Sequence, residues 1–300
     1  MPPEVFAAVA ALSYAASNIC IRLGVQSTSV VAGLLVSLLS GSLITLIAFL
    51  VDLPNSPSLV GVAIFAISGL LGPGLGRAAM ISGIERLGPA IAIPVLSSLY
   101  PVFAVAGAMI TLNEDVSARR FVGLAVVVLG VWILSQKEAS MAPTSLPTGT
   151  STVATPTYRI PAIVIPLAAG VFYGAGDVFR KKAVELLPDA VLGSFIGITA
   201  ALLVWSAMVA LSNHMRALTR FGKGSWWLAL SGAFSAIAVL SVTKAFEEGD
   251  VTVVTPIVAA QSLPVLLLSA IFLRRIDHVD FRIALGTICV VGGSVIVSSA

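Results

Sequence analysis

VVAGLLVSLLSGSLITLIAFLV, residues 30–51, runs for 22 positions without one charged side chain. At 1.5 Å per residue a helix of that length spans about 33 Å, the thickness of a bilayer's hydrocarbon core. No two-residue alternation runs through it, so it does not read as a strand of a membrane barrel. We read it as a transmembrane helix. Working outward, nine more apolar stretches of similar length stand at roughly 5–22, 58–84, 90–111, 117–135, 161–179, 190–212, 225–246, 251–273 and 280–298. Short polar breaks such as DLPNSP, NEDVSARR, RKKAVELLPD and RRIDHVD separate them.

The whole composition agrees. Of 300 residues, 58% are hydrophobic and 10% charged, with a mean hydropathy of +1.04. Soluble domains carry about 25% charged residues, so this chain cannot keep a soluble surface wet, whereas a bilayer asks for apolar side chains. A net charge of +3 spread thinly along the chain does not build a phosphate-binding face, which argues against nucleic acid as a partner. Cys20 and Cys289 lie inside apolar segments and His214 and His278 are isolated, so no metal site and no cofactor are expected. The opening MPPEVFAAVAALSYAASN lacks a basic leader region, and its apolar run reads as an uncleaved first helix.

Residues 137–159, KEASMAPTSLPTGTSTVATPTYR, are rich in Ser, Thr and Pro and poor in large apolar residues, the composition of a flexible linker. The halves it separates, 1–136 and 160–300, resemble each other. In SYAASNICIR (13–22) and FYGAGDVFRK (172–181), Tyr14, Asn18 and Arg22 match Tyr173, Asp177 and Lys181, each 159 positions on. Gly88 then pairs with Gly249, Pro94 with Pro256, Pro101 with Pro264, Glu114 with Asp277, Gly123 with Gly286 and Gly130 with Gly293. The offset drifts only upward, to 163, as a duplication with small loop insertions leaves it. Five helices per half is an odd number, so the second half enters the bilayer from the opposite side. The expected fold class is an all-α membrane protein of ten transmembrane helices, two inverted five-helix repeats around a central cavity. Such halves can expose one site alternately to each side, which points to a transporter.

The segments GPAIAIPVLSSLYPVFAVAGAMITLNEDVSARRFVGLAVVVLGVWIL (88–134) and GDVTVVTPIVAAQSLPVLLLSAIFLRRIDHVDFRIALGTICVVGGSVIV (249–297) carry a further signal. Each has a proline-bounded helix, a loop with an acidic residue (Glu114, Asp277) and a Gly-rich last helix. In this the chain resembles the drug/metabolite transporter superfamily, specifically its ten-helix members with two EamA domains. The resemblance implies a cavity lined by helices 1–4 and 6–9, with helices 5 and 10 supporting the outside. It leaves the substrate open, since the superfamily moves amino acids, sugars, nucleotide sugars, purines and drugs. Small four-helix relatives couple to protons through a carboxylate in their first helix; here Tyr14 and Tyr173 hold that place, so that mechanism does not carry over.

Among single residues Arg77 stands out, about seven positions short of the membrane-edge pair Glu85–Arg86 and so roughly 10 Å deep. Two readings stand side by side: a cavity cation for an anionic group such as a carboxylate, or a stem snorkelling to the headgroups. Its repeat counterpart is Ala238, so the charge breaks the pseudo-symmetry. Asp177 and Lys244 are expected in one leaflet, where they pair or Asp177 couples protons or substrate; Asn18 is expected near Arg77 as a hydrogen-bond partner. Arg22 and Lys181 read as interfacial anchors. Tyr14, Tyr173, Tyr100 and Gln261 are candidates for the cavity wall, with a packing role equally open. Pro73, Pro94, Pro101, Pro256 and Pro264 are hinge candidates because proline frees a backbone carbonyl.

GPGLG at 72–76 lacks the preceding strand of a nucleotide loop, and neither GxSxG nor HExxH occurs, so no enzyme is expected. The functional expectation is a secondary transporter in the cell's cytoplasmic membrane, exporting or exchanging a small polar or amphipathic metabolite such as an amino acid. Its partners are that substrate, the bilayer, and a coupling proton or exchanged solute. A channel, a membrane sensor and an intramembrane enzyme are the alternatives.

Loop charges set an orientation. On the side of the N-terminus stand Arg119, Arg120, Arg180, Lys181 and Lys182; on the other stand Arg22, Arg86, Lys137, Arg159, Arg216, Arg220, Lys223, Arg274, Arg275 and Arg282. Basic residues favour the cytoplasm, which places both termini outside and residues 137–159 inside. Reporter fusions check this: a linker fusion should report the cytoplasm, and a cytoplasmic signal from a C-terminal fusion overturns the assignment.

Overall fold

The computed structural model describes residues 2–51, 58–112, 122–123, 125–126, 129–130, 133, 162–217, 219–273 and 281–298. The long helices are α1 (Pro3–Gly24), α2 (Val30–Val51), α3 (Leu59–Leu87), α4 (Pro89–Thr111), α5 (Val164–Leu186), α6 (Ala190–Leu211), α7 (Ser225–Glu248), α8 (Val251–Phe272) and α9 (Phe281–Ser298). A short helix, Asn213–Ala217, follows α6. The described positions between 122 and 133 are helical, while the linker 137–159, Glu114 and Asp277 lie outside the described residues.

Seven of these helices, α1 to α4 and α6 to α8, are long and apolar enough to cross a membrane. On α2 the reason is plain. Leu39, Leu43, Ile47 and Leu50 are more than half exposed along one face, and Leu34, Leu38 and Thr45 are buried on the other. A helix apolar all round needs lipid on the side that protein does not cover. Elsewhere local chemistry sets the ends. Ser58 and Asp189 accept from the backbone N–H of Gly61 (3.3 Å) and Leu192 (2.8 Å), capping α3 and α6. Gly88 turns α3 into α4 at φ 75°, a conformation that favours glycine.

The charged stretch after 179 is not a loop. α5 runs on to Leu186 because its cations find partners along the way: Arg180 on Asp177, and Lys181 on the Phe246 and Gly249 carbonyls, each at 2.9 Å. Arg22, the repeat counterpart of Lys181, donates to the Ile84 and Glu85 carbonyls at 3.1 and 2.9 Å. The two expected interfacial anchors therefore cap the C-terminal ends of α7 and α3, where unpaired carbonyls concentrate negative partial charge.

The prolines are accommodated in three ways. α3 widens to a π-helical segment at Leu70–Gly76 around Pro73. α4 is unbroken through Pro94 and Pro101. α8 is interrupted at Ala260–Gln261, between helical parts Val251–Ala259 and Ser262–Phe272. Pro264 lacks the N–H that would bond the Ala260 carbonyl, and Leu263 N–H takes that carbonyl instead at 3.1 Å.

Helices of the two halves interleave, and their pairings come in matched sets. α1 packs on α7 and α5 on α3; α2 packs on α7 and α6 on α3; α4 packs on α5 and α8 on α1; α2 meets α6, and α4 meets α8. Exchanging α1 with α5, α2 with α6, α3 with α7 and α4 with α8 maps this list onto itself. The crossings match in detail. A methyl added at Gly69 would stand 2.0 Å from the Gly197 carbonyl oxygen, and one at Gly232 would stand 2.2 Å from that of Ser37. Backbones in such contact admit no side chain. Gly69→Ala should cost about 1–3 kcal/mol, and Gly292→Ala, which meets nothing within 4 Å among the described residues, should stay within about 0.5 kcal/mol of the parent. Thermal unfolding in detergent reads both.

Candidate functional site

Tight packing of α5 on α4 builds the centre. Added methyls at Gly170 and Gly174 would meet the carbonyl oxygens of Leu96 and Tyr100 at 2.6 and 2.7 Å. Spaced four apart, these glycines let α5 lie against the α4 backbone. One turn further, Asp177 meets the Tyr100 hydroxyl, which donates to Oδ2, while Arg180 Nη1 donates to Oδ1 at 2.5 Å. The carboxylate is 2% exposed and the guanidinium 4%. Pairing and hydrogen bonds offset the cost of burying a charge, and this one has both.

Around this group Tyr14, Met80, Leu96, Tyr100, Tyr173, Asp177, Val258 and Gln261 line a small cavity of about 20 Å³. Its wall draws on α1, α3 and α4 of the first half and α5 and α8 of the second. α2, α6 and α7 supply none of these lining residues, a narrower set than the resemblance implies. Glycines of the widened α3 make room for the wall: added methyls at Gly72 and Gly76 would touch the Tyr173 ring at 3.7 and 3.0 Å. Tyr173 also stands edge-on to Tyr100, with centroids 6.5 Å apart. The break in α8 turns Gln261 inward, where its Oε1 accepts from Asn18 Nδ2 at 3.2 Å. Asn18 Oδ1 is buried without a partner among the described residues.

The eight residues singled out in the sequence are therefore placed differently. Tyr14, Tyr100, Tyr173, Asp177 and Gln261 line one cavity, and Asn18 stands behind Gln261. Arg77 is beside the cavity, not on its wall. It neither snorkels nor meets Asn18: it is 2% exposed and wrapped by hydroxyls. Nε donates to Ser37 Oγ (2.6 Å), Nη1 to Ser235 Oγ (2.7 Å), and Nη2 to Ser231 Oγ (2.9 Å), Ser231 O (3.3 Å) and Ser17 Oγ (3.4 Å). Short hydroxyls from three other helices reach the guanidinium where it stands, so its stem has no need to extend to the headgroups. Lys244 does not pair with Asp177. It is exposed and bonds Glu247 one turn on, because its helix face points away from the cavity.

Two roles went unread in the sequence, that of Arg180, counted there as a loop cation, and that of the serines around Arg77. Arg180 was legible in principle, since Asp177 and Arg180 sit three apart on one helix. The serines had no such signal, being ordinary small residues of apolar helices until Arg77 gathers them. At the position equivalent to Arg77 stands Ala238, and Gly176 and Gly197 fall where the first half has Ser17 and Ser37. A small space stands open there instead: about 10 Å³ lined by Arg180, Ser68, Gly69, Pro73, Gly197 and Val239, among others.

Comparison with known proteins adds to this picture. A family model described as the EamA-like transporter family matches residues 1–136 and 160–299. No curated protein matches the chain. Among solved structures 28 chains match. One, described only as the crystal structure of a protein, aligns with a TM-score of 0.67 at 16% identity, covering 99% of this chain and 98% of its own. Identity that low speaks for the fold alone.

The Asp177–Arg180 pair can be tested for what it holds. Arg180→Ala leaves the carboxylate buried and unpaired and should destabilise the protein by about 3–5 kcal/mol. Adding Asp177→Asn to it should recover part of the loss, and thermal unfolding of the four proteins of that cycle measures the coupling.

Proposed function

The chain belongs to the EamA-like transporter family, and with it to the drug/metabolite transporter superfamily, as a member with two EamA domains; from there we propose that it is a ten-helix secondary transporter built as two inverted repeats, 1–136 and 160–300, joined by a flexible linker. It works by alternating access, exporting or exchanging a small polar or amphipathic metabolite such as an amino acid across the cytoplasmic membrane. A proton or a counter-transported solute drives it, and it carries out no chemistry.

One observation carries this reading: the cavity is made by both halves, with the repeat counterparts Tyr14 and Tyr173 facing it together. A site shared across a pseudo-two-fold can be opened to one side or the other by exchanging the conformations of the halves. The matched pairings of α1–α7 with α5–α3, and of α2–α7 with α6–α3, support that exchange. The hinge role goes to the widened turn at Pro73 and the break between Pro256 and Pro264, because both adjoin the cavity wall and both already depart from α-helical bonding.

In the substrate role, Tyr14, Tyr100, Tyr173 and Gln261 offer hydrogen bonds, Met80, Leu96 and Val258 apolar contact, and Asp177 holds the wall together. Lys244 drops out of the candidate site, and Asn18 acts through Gln261. Reconstituted vesicles loaded with a metabolite panel should show saturable uptake that trans-substrate accelerates, measured with and without a pH gradient. Asp177→Asn should lower it about tenfold or more, the scale of a lost charged hydrogen bond. Flux that neither saturates nor responds to trans-substrate sinks the carrier reading in favour of a channel.

A further inference from the structure

Three ionised side chains are buried among the described residues: Arg77, Asp177 and Arg180. Two guanidinium groups and one carboxylate leave the interior with one positive charge in excess. Asp177 is matched to Arg180 by their ion pair, so the excess belongs to Arg77. An arginine cannot shed its proton. Its partners are the hydroxyls of Ser17, Ser37, Ser231 and Ser235 and one carbonyl, with the Tyr173 hydroxyl within hydrogen-bonding reach. Such dipoles stabilise a cation locally but do not cancel it, and in a low-dielectric interior its field persists into the nearest open space.

That space is the cavity. Arg77 directly follows Gly76, which packs on the Tyr173 ring, and Met80 one turn on is part of the wall. Tyr14 and Tyr173 both lie within electrostatic reach of Arg77. The wall itself offers donors. The Tyr14 hydroxyl has no partner among the described residues, and the Gln261 amide N–H₂ is open because its oxygen is the atom engaged by Asn18. The Tyr173 hydroxyl meets the Met80 sulfur at 3.8 Å, a weak acceptor readily exchanged for a better one, and stands within hydrogen-bonding reach of the Arg77 guanidinium. Asp177 has both oxygens occupied, by Arg180 and Tyr100, so it offers no free charge to an ammonium group. Asn18 Oδ1 accepts a hydrogen bond but carries no charge either.

We infer that the cavity takes a small organic monoanion, a carboxylate on an apolar body, in preference to a zwitterion, a cation or a neutral molecule. This rests on the transport reading above and narrows its substrate class, setting aside the amino acid named there as an example. The carboxylate meets the tyrosine and Gln261 donors and the field of Arg77; the apolar body lies against Met80, Leu96, Val258 and the aromatic rings. Arg77 acts from behind the wall, through its charge.

The test uses the full-length protein with benzoate, phenylacetate and 4-methylpentanoate, their three amides, phenylalanine and phenethylamine. Thermal midpoints in detergent read binding, and counterflow in reconstituted vesicles reads transport. The carboxylates should act at concentrations at least about tenfold below those of the amides, the zwitterion and the amine, the scale of one well-placed charge interaction. Arg77→Gln should erase that preference and Arg77→Lys should keep it; where the glutamine variant does not fold, the parent's own ratios decide. Equal or better action by the amides, phenylalanine or phenethylamine overturns the inference and leaves the transporter standing. So does a preference that survives in Arg77→Gln. Absence of binding by all of these compounds overturns it as well. Stabilisation by carboxylates without counterflow of any compound keeps the anion site and removes the transport reading.

Discussion

A guanidinium surrounded by serine hydroxyls, deep between four helices, is the contact on which this interior depends. Arg77 of α3 holds Ser17 of α1, Ser37 of α2, and Ser231 and Ser235 of α7. Arg77 is 2% exposed, and in an apolar bundle the helices must come close enough for short side chains to share the cost of its charge. That requirement explains the small residues at the crossings. α2 and α7 meet where Gly232 touches the Ser37 backbone, and α1 reaches α7 where Ser17 Oγ donates to the Ser231 carbonyl at 2.9 Å.

The second half solves the same problem with different atoms. Ser68 donates to the Gly176 carbonyl at 2.8 Å, in the place of the Ser17–Ser231 contact, and Gly69 meets Gly197 where Gly232 meets Ser37. At that crossing Ala238 stands where Arg77 would, and Arg180 borders the open space beside Gly69 and Gly197. The charge of this half comes from Arg180 on α5, which turns to Asp177 and leaves free space behind it. Two copies of one architecture thus carry two different charge arrangements: an unmatched cation in a hydroxyl cage, and an ion pair on the cavity wall.

Helix capping follows the repeat more faithfully. Arg22 and Lys181 are counterparts in sequence and do the same work, covering the carbonyl ends of α3 and α7. Membrane-edge positions tolerate either cation because carbonyls accept from both. Core positions do not, since a guanidinium fork and an ammonium fill space and direct donors differently.

Much of the fold was legible in one dimension. Apolar runs of bilayer length, interrupted by short polar breaks, locate the long helices, because a helix in lipid must satisfy its backbone within itself and expose apolar side chains. Residues 30–51 were bounded from sequence as α2 is found. The ordered series from Tyr14–Tyr173 to Pro101–Pro264 made the duplication readable. Five of the eight site candidates line one cavity for a related reason: polar side chains inside such helices seldom face lipid. Partnerships were not legible. Asp177 finds Arg180 and Tyr100 in place of Lys244, and Asn18 finds Gln261 in place of Arg77. Depth along a helix can be counted from residue numbers, but direction around it and the distance to a neighbour depend on how helices pack. Backbone contacts at Gly170, Gly174, Gly69 and Gly232 set that packing, and the break at Ala260–Gln261 set the reach of Gln261. Segment identity and repeat order were decided by the sequence alone; the charges that meet and the side chains that face the cavity were decided only by helix crossings, because hydrogen bonds and ion pairs are made over a few ångströms that residue spacing does not specify.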